Sequence, residues 1–174
     1  DFEKKKIILL TAHRRENLGR PLEEIFKAVR DLVTEDKNIE VVYPVHLNPR
    51  VKQTASKILK NTERIYLIEP LDYQPFVNLM SKSYMIMTDS GGIQEEAPSL
   101  GKPVLVLRDK TERPEAISAG TVKKVGANYR TIYETAKELI SSEGLYNEMA
   151  GKNNPYGDGK AAGRIVEFIK EKLI

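Results

Sequence analysis

The side chains best able to do chemistry fall in two short stretches, each placed directly after an apolar run. The first is Thr11-Ala12-His13-Arg14-Arg15-Glu16-Asn17, in which five consecutive ionisable or amide groups follow Ile7 to Thr11. An imidazole at His13 can give or take a proton near neutrality, or donate a hydrogen bond to a phosphate. Arg14 and Arg15 carry planar forks matched to phosphate or carboxylate. A solvated charged loop would have the same composition, so charge alone does not choose between ligand site and surface.

The second stretch is Thr88-Asp89-Ser90-Gly91-Gly92-Ile93-Gln94-Glu95-Glu96-Ala97. A strand that runs through Ser-Gly-Gly into a helix suits an anion. Ser90 is expected at the N-cap, and the absence of Cβ atoms at Gly91 and Gly92 lets a bulky group approach the free N–H groups at the positive end of the helix. The pattern is neither a P-loop nor a Gly-x-Gly-x-x-Gly fingerprint. Glu95 and Glu96 lie about one turn further on. A carboxylate facing the crevice there would accept from both hydroxyls of a ribose, so a diol next to a diphosphate makes the ligand a nucleotide. Alternatively, both glutamates only complement the helix dipole. Pro98 should remove the hydrogen bond to the carbonyl of Gln94 and kink or shorten the helix.

Three further places carry lesser candidates. In Glu69-Pro70-Leu71-Asp72-Tyr73-Gln74-Pro75-Phe76, Asp72 suits an N-cap, and Tyr73 and Phe76 share a face on which they either stack on a base or join the core. His46 lies between a strand and a helix and reads equally as a ligand or as a cap. In the charged loop Arg108 to Glu115, Arg113 could reach a phosphate while most of the other charges are solvated.

These loops need a scaffold that aligns them. Apolar runs at Ile7 to Thr11, Glu40 to Pro44, Arg64 to Ile68, Tyr84 to Thr88, Val104 to Leu107 and Thr121 to Val125 read as strands buried on both faces. Between the first two, Leu22, Ile25, Phe26, Val29, Leu32 and Val33 form one apolar helical stripe, with Pro21 in its first turn. Further helices are predicted at Pro49 to Leu59, Asp72 to Ser81, Gly91 to Leu100, Tyr129 to Ser142 and Lys160 to Lys172. The alternation predicts an α/β class: helices on both faces of a parallel sheet, with ligands beyond the carboxyl ends of the strands. Gly151 to Gly159 breaks the pattern and reads as a hinge before an amphipathic helix bearing Ile165, Phe168, Ile169 and Leu173.

The 174 residues are enough to bury a core, and 40% hydrophobic with 30% charged residues describes an ordinary globular chain. A net charge of +3 with interspersed signs gives no reason to expect a nucleic-acid partner, and Lys4-Lys5-Lys6 reads as a solvated strand entrance. No cysteine is present, which excludes disulfides and thiolate metal sites and is compatible with a reducing cytoplasm. No apolar stretch is long enough to span a membrane. Opening on Asp1 just before a strand, the chain is expected to be a fragment.

Taken together, the His-Arg-Arg-Glu-Asn loop, Tyr43-Pro44-Val45-His46-Leu47-Asn48-Pro49, Glu69-Pro70-Leu71 and Asp89 to Glu96 resemble the carboxyl-terminal domain of non-hydrolysing UDP-N-acetylglucosamine 2-epimerases, over nearly the whole chain. The resemblance implies a Rossmann-like three-layer α/β/α domain with a parallel sheet of about six strands, the second half of a GT-B fold. It implies UDP-binding residues 1–154 and a carboxyl-terminal crossover helix, 155–174, that returns to the first domain. The implied reaction interconverts UDP-GlcNAc and UDP-ManNAc by elimination and re-addition of UDP, with no cofactor and no metal. By the same resemblance Ser90, Gly91 and Gly92 hold the diphosphate, Glu96 binds the ribose, Phe76 lies near the uracil, Arg113 is a further phosphate candidate, and His13 is catalytic at the leaving group. Arg14 and His46 resemble residues of a second, allosteric UDP-GlcNAc site. The implied partners are the missing first domain, which carries the acidic catalytic residues, and a second subunit in a homodimer. The nucleotide-binding half of a glycosyltransferase and a non-catalytic UDP-sugar sensor are the competing readings.

Overall fold

The computed structural model of the chain describes residues 4–173. The expected opening at Asp1, the expected helix end at Ile174 and the apolar side chain of Leu173 lie outside the described residues.

Among the described residues, six strands make one sheet: β1 (Lys6–Thr11), β2 (Ile39–Pro44), β3 (Ile65–Ile68), β4 (Met85–Thr88), β5 (Val104–Val106) and β6 (Val122–Lys124). Every pairing is parallel, in the order β3-β2-β1-β4-β5-β6. This is the doubly wound order, and it reverses between β1 and β4. The central strands β1, β4 and β5 are buried almost throughout, whereas the edge strands β3 and β6 alternate or open to solvent. Continuous aliphatic runs at the centre are what such burial requires.

The helices are α1 (Arg20–Glu35), α2 (Pro49–Leu59), α3 (Tyr73–Lys82), α4 (Gly91–Glu96), α5 (Pro114–Ala119), α6 (Tyr129–Ser141), α7 (Glu143–Ala150) and α8 (Ala161–Leu173). Alternation along the strands splits the core in two. Ile8, Leu10, Val41, Tyr43, Met87 and Leu107 pack beneath α1, α2 and α6. Leu9, Ile86, Val104 and Val106 face the opposite way, onto Met80 of α3, Ile93 of α4 and Ala116 of α5. Three layers result, as the resemblance implied.

The predicted α1 stripe is buried in full, with Pro21 in the first turn and Glu23 near the positive helix end. Pro98 acts as anticipated. The α-helix stops at Glu96 and tightens into a 3-10 turn at Ala97–Leu100. The third strand starts one residue later than predicted, because Arg64 adopts a left-handed φ of 67°. Its guanidinium donates to the carbonyls of Asp36, Ile39 and Val33, offsetting the strain by closing the end of α1.

Several expectations change. Lys6 is half-buried rather than solvated, its ammonium donating to the carbonyl of Ile140 at 2.6 Å and lying 4.7 Å from the centre of the Tyr84 ring. The loop Arg108 to Glu115 gives way to α5, which begins at Pro114, where a fixed φ suits a first helical turn. The structure adds α7, whose short apolar set and Gly144 give little helical signal; Ser142 caps it, accepting from the Leu145 N–H at 3.3 Å.

After α7 the chain folds back. Asn154 donates to the Glu95 carbonyl at 3.2 Å and to Ser99 at 2.5 Å, and Tyr156 packs on the second core cluster. Gly157 and Gly159 then take positive φ values of 120° and 75°, a backbone that glycine adopts without strain. On α8 the described side chains are exposed, including Ile165, Val166, Phe168 and Ile169.

The Phe26 ring is completely buried and meets Tyr43 at 5.4 Å between ring centroids. Phe26→Ala should lower stability by about 3–5 kcal/mol. Urea unfolding checks this as a fall in midpoint with an unchanged slope.

Candidate functional site

The site forms where the strand order reverses. Register brings Thr11 of β1 level with Thr88 of β4, and the two hydroxyls share a 2.6 Å hydrogen bond. The loops that follow therefore leave the sheet side by side. Tyr43, buried on β2, donates to the Ala12 carbonyl at 2.7 Å and fixes the root of the first loop; burial pushes its phenol well above the ordinary tyrosine range.

Asp89, completely buried, joins the two loops. Its Oδ2 accepts from the backbone N–H groups of His13 and Arg14, each at 2.8 Å, and from the Asn17 amide at 3.0 Å. Asn17 Nδ2 also donates to the Leu107 carbonyl at 3.0 Å, so the ends of β1, β4 and β5 share one polar knot. Arg14 Nε donates to the Asp89 carbonyl at 3.2 Å, and the guanidinium lies over Gly91, 3.8 Å from where a Cβ would stand.

A cavity of about 520 Å³ opens above the carboxyl ends of β1 to β4. His13, His46, Leu47, Pro70, Leu71 and Phe76 surround it, with Ile93 from the first turn of α4. His13 and His46 stack face to face, 4.7 Å between centroids and 3° from parallel. The Asn48 N–H donates to His46 Nδ1 at 3.1 Å, so His46 both orders its own turn and supports the His13 ring. Burial holds the His13 imidazole below its ordinary value, against the opposing pull of Asp89; His46 and Arg14 push the same way as burial.

The predicted residues divide. Ser90 takes the N-cap position, but its hydroxyl makes no capping bond; its own N–H donates to Thr88 Oγ1 at 2.9 Å instead. Asp72 likewise caps α3 by position without a side-chain bond. Glu96 extends over Gly92, its carboxylate 3.8 Å from where a Cβ would stand. Arg113 pairs with Glu95 and donates to the Glu112 carbonyl, so both Arg113 and Glu95 are already engaged. Phe76 lines the cavity and also packs against the second core cluster, whereas Tyr73 is 71% exposed. Arg108, expected among solvated charges, is buried and gripped by Glu16 at 2.6 Å and by both oxygens of Glu112 at 2.8 and 3.1 Å. Among the described residues no cluster of three His, Cys, Asp or Glu could hold a metal ion, and no helix is long and apolar enough to cross a membrane.

The sequence profile described as UDP-N-acetylglucosamine 2-epimerase matches residues 1–170. The chain belongs to that epimerase family. It is 57% identical over 164 residues to the UDP-N-acetylglucosamine 2-epimerase of Bacillus subtilis (strain 168), a match covering 94% of this chain and 43% of that protein. A structure of the S. aureus relative with UDP is 58% identical, with a TM-score of 0.93 over 99% of this chain and 47% of that one. The Neisseria meningitidis UDP-GlcNAc 2-epimerase bound to UDP-GlcNAc is 50% identical, with a TM-score of 0.92 over 98% of this chain and 46% of that one. The chain thus spans less than half the length of these epimerases and corresponds to their carboxyl-terminal half. A glycosyltransferase of lipopolysaccharide biosynthesis, WaaG, shares the fold alone, at 13% identity and a TM-score of 0.69.

Within this epimerase domain, residue-type reasoning passes over Asp89, Asn17 and Gln94. The available signal was polarity at the end of a fully apolar strand, since a carboxylate or amide there must be paired to be buried. Gln94 is completely buried. It donates to the Ser90 carbonyl at 3.1 Å and accepts from Thr111 at 2.7 Å, tying α4 to the loop before α5.

The lowered His13 value has a definite sign in stability. The folded chain binds this proton less readily than the unfolded chain. The contribution is complete above the unfolded value of 6.5 and is lost as pH falls from there through the lowered folded value. His13→Gln should therefore lose less stability than the wild type between about pH 7.5 and pH 5, as read by urea midpoints at each pH.

Proposed function

We propose that this chain is the UDP-sugar-binding half of an epimerase that interconverts UDP-GlcNAc and UDP-ManNAc. The observation that carries the reading is the cavity at the reversal point, which His13 and Phe76 line together with Ile93, the α4 residue that directly follows Ser90-Gly91-Gly92. UDP and UDP-GlcNAc complexes of relatives support a ligand of this class.

In this assignment the diphosphate lies against Ser90, Gly91 and Gly92, with N–H groups at the start of α4 donating to its oxygens. Glu96, poised over Gly92, accepts from the ribose hydroxyls, and Phe76 packs against the uracil. Arg113 is held by Glu95 and would join the phosphates only by exchanging that partner. The reaction breaks C2–H and the C1–oxygen bond to UDP, forming a C1–C2 double bond. Re-addition of UDP, with a proton delivered to the opposite face of C2, completes the inversion without net oxidation. His13 meets the charge developing on the departing UDP oxygen. Arg14 and His46, next to His13, are the residues of this domain that a second UDP-GlcNAc would touch.

The acidic residues that handle the C2 proton belong to the first domain. The division at 154/155 is part of the same proposal: residues 1–154 bind UDP, and 155–174 cross back with Ile165, Phe168 and Ile169 seated on that domain, in a cytoplasmic homodimer. Exposure of these apolar side chains supports the idea.

Calorimetric titration of UDP into this chain should give saturable binding. Ser90→Ala and Glu96→Ala should each weaken it by roughly tenfold, the value of one or two hydrogen bonds to charged groups. Unchanged affinity in both variants would refute the site. The two-domain parent should convert UDP-GlcNAc with no acceptor present, whereas a glycosyltransferase would need one.

A further inference from the structure

We propose that Asp89 is a positioning residue for His13, holding the imidazole with its proton on Nδ1 so that Nε2 is presented to the cavity. The inference builds on the assignment of His13 to the leaving group, but its test reads the ring directly.

The carboxylate of Asp89 is asymmetric in its partners. Oδ2 has three donors, all from the loop that carries His13. Oδ1 is buried and is the one buried side-chain nitrogen or oxygen among the described residues without a hydrogen-bond partner. A buried charged oxygen demands a donor. His13 Nδ1 stands 3.6 Å from it, longer than a hydrogen bond by a few tenths of an ångström. The three bonds to Oδ2 fix the carboxylate plane, and therefore the direction in which Oδ1 points. Stacking on His46 confines the His13 ring to its own plane. A small movement of the ring within that plane closes the gap.

The two nitrogens of an imidazole point to opposite sides of the ring. With Nδ1–H given to Asp89, Nε2 faces the ligand side. When a diphosphate arrives, Nε2 takes a proton from solvent, and the imidazolium is held between the Asp89 carboxylate and the departing oxygen. The other ionisable groups facing the ring, His46 and Arg14, oppose that proton, which leaves Asp89 as the group that favours it. In this arrangement Asp89 lies behind the ring and acts on the ligand through the His13 loop rather than by contact.

The chain has two histidines, which makes the measurement direct. In protein labelled with nitrogen-15 in the imidazoles, two-bond proton–nitrogen correlations above the titration range report each tautomer. His46, whose Nδ1 accepts from Asn48, should show the Nε2–H form that free imidazoles prefer and so serves as the internal reference. His13 should show the opposite Nδ1–H form. In Asp89→Asn, His13 should shift toward Nε2–H and its titration midpoint should move to lower pH. Wild-type His13 in the Nε2–H form overturns the proposal, and this arm stands even if the variant does not fold. An Asp89→Asn protein that folds yet keeps both tautomer and midpoint overturns it too. If the two-domain parent carrying His13→Gln kept full activity, the leaving-group assignment would fail while the tautomer result stood.

Discussion

One buried carboxylate organises the functional end of this domain. Asp89 ends β4 just where the strand order turns, and without it the loop after β1 has no reason to lie where it does. Backbone N–H groups at the start of an irregular loop need acceptors, and the sheet offers none beyond Thr11. Asp89 supplies one to His13 and one to Arg14, then takes a third donor from Asn17, which is itself bonded to β5. A charge buried this deeply is tolerated only when several donors surround it. The same bonds that make it tolerable set the height of the His13 ring above the sheet.

Around this knot, the charges divide between those that hold the structure and those left for a ligand. Arg108 is buried between Glu16 and Glu112, and Arg113 is joined to Glu95, so the loop before α5 is latched to both the His13 loop and α4. These pairs consume Arg113, which sequence alone would offer to a phosphate, along with Arg108. The turn at Ser90 is left with a free hydroxyl, and α4, six residues long before Pro98 tightens it, keeps its first N–H groups uncapped by any side chain. A helix so short and so poorly capped contributes little to stability, which fits a role at a site rather than in the scaffold.

The scaffold was legible because apolar periodicity survives in every strand and in the longer helices. Buried aliphatic runs such as Ile7 to Leu10 have no polar residue to confuse the reading, and α1 carries one uninterrupted stripe. What escaped was set by contacts between segments distant in the chain. Arg64 leaves the strand with its guanidinium on the carbonyls of Val33, Asp36 and Ile39, some thirty residues earlier, and α7 is held to the rest of the fold in part by Tyr146, which stacks on Tyr84 at 4.3 Å. At the site, Ser90, Gly91, Gly92 and His13 announce themselves by type. Asp89 does not, since an aspartate before a Ser-Gly-Gly turn reads as a loop residue until burial shows that it carries the loop. By residue type alone Glu95 and Glu96 were equivalent, the resemblance favoured Glu96, and the fold separates them: one side chain turns to Arg113, the other over Gly92.

This separation of scaffold from site also explains why the fold cannot name the chemistry. The sheet is shared with a glycosyltransferase at 13% identity, so six parallel strands and their crossovers are compatible with more than one reaction. An acceptor-dependent transfer and an acceptor-free elimination both need a diphosphate held at the carboxyl edge. They differ in what must meet the departing oxygen once the C1 bond stretches. In the proposed assignment that position falls to an imidazole packed on a second imidazole and backed by a buried carboxylate, three side chains drawn from the ends of β1, β2 and β4. An arrangement of three strands around one ring is far more restrictive than the fold. Its demands are local, and they can be met or lost by changing a handful of loop residues without moving a strand.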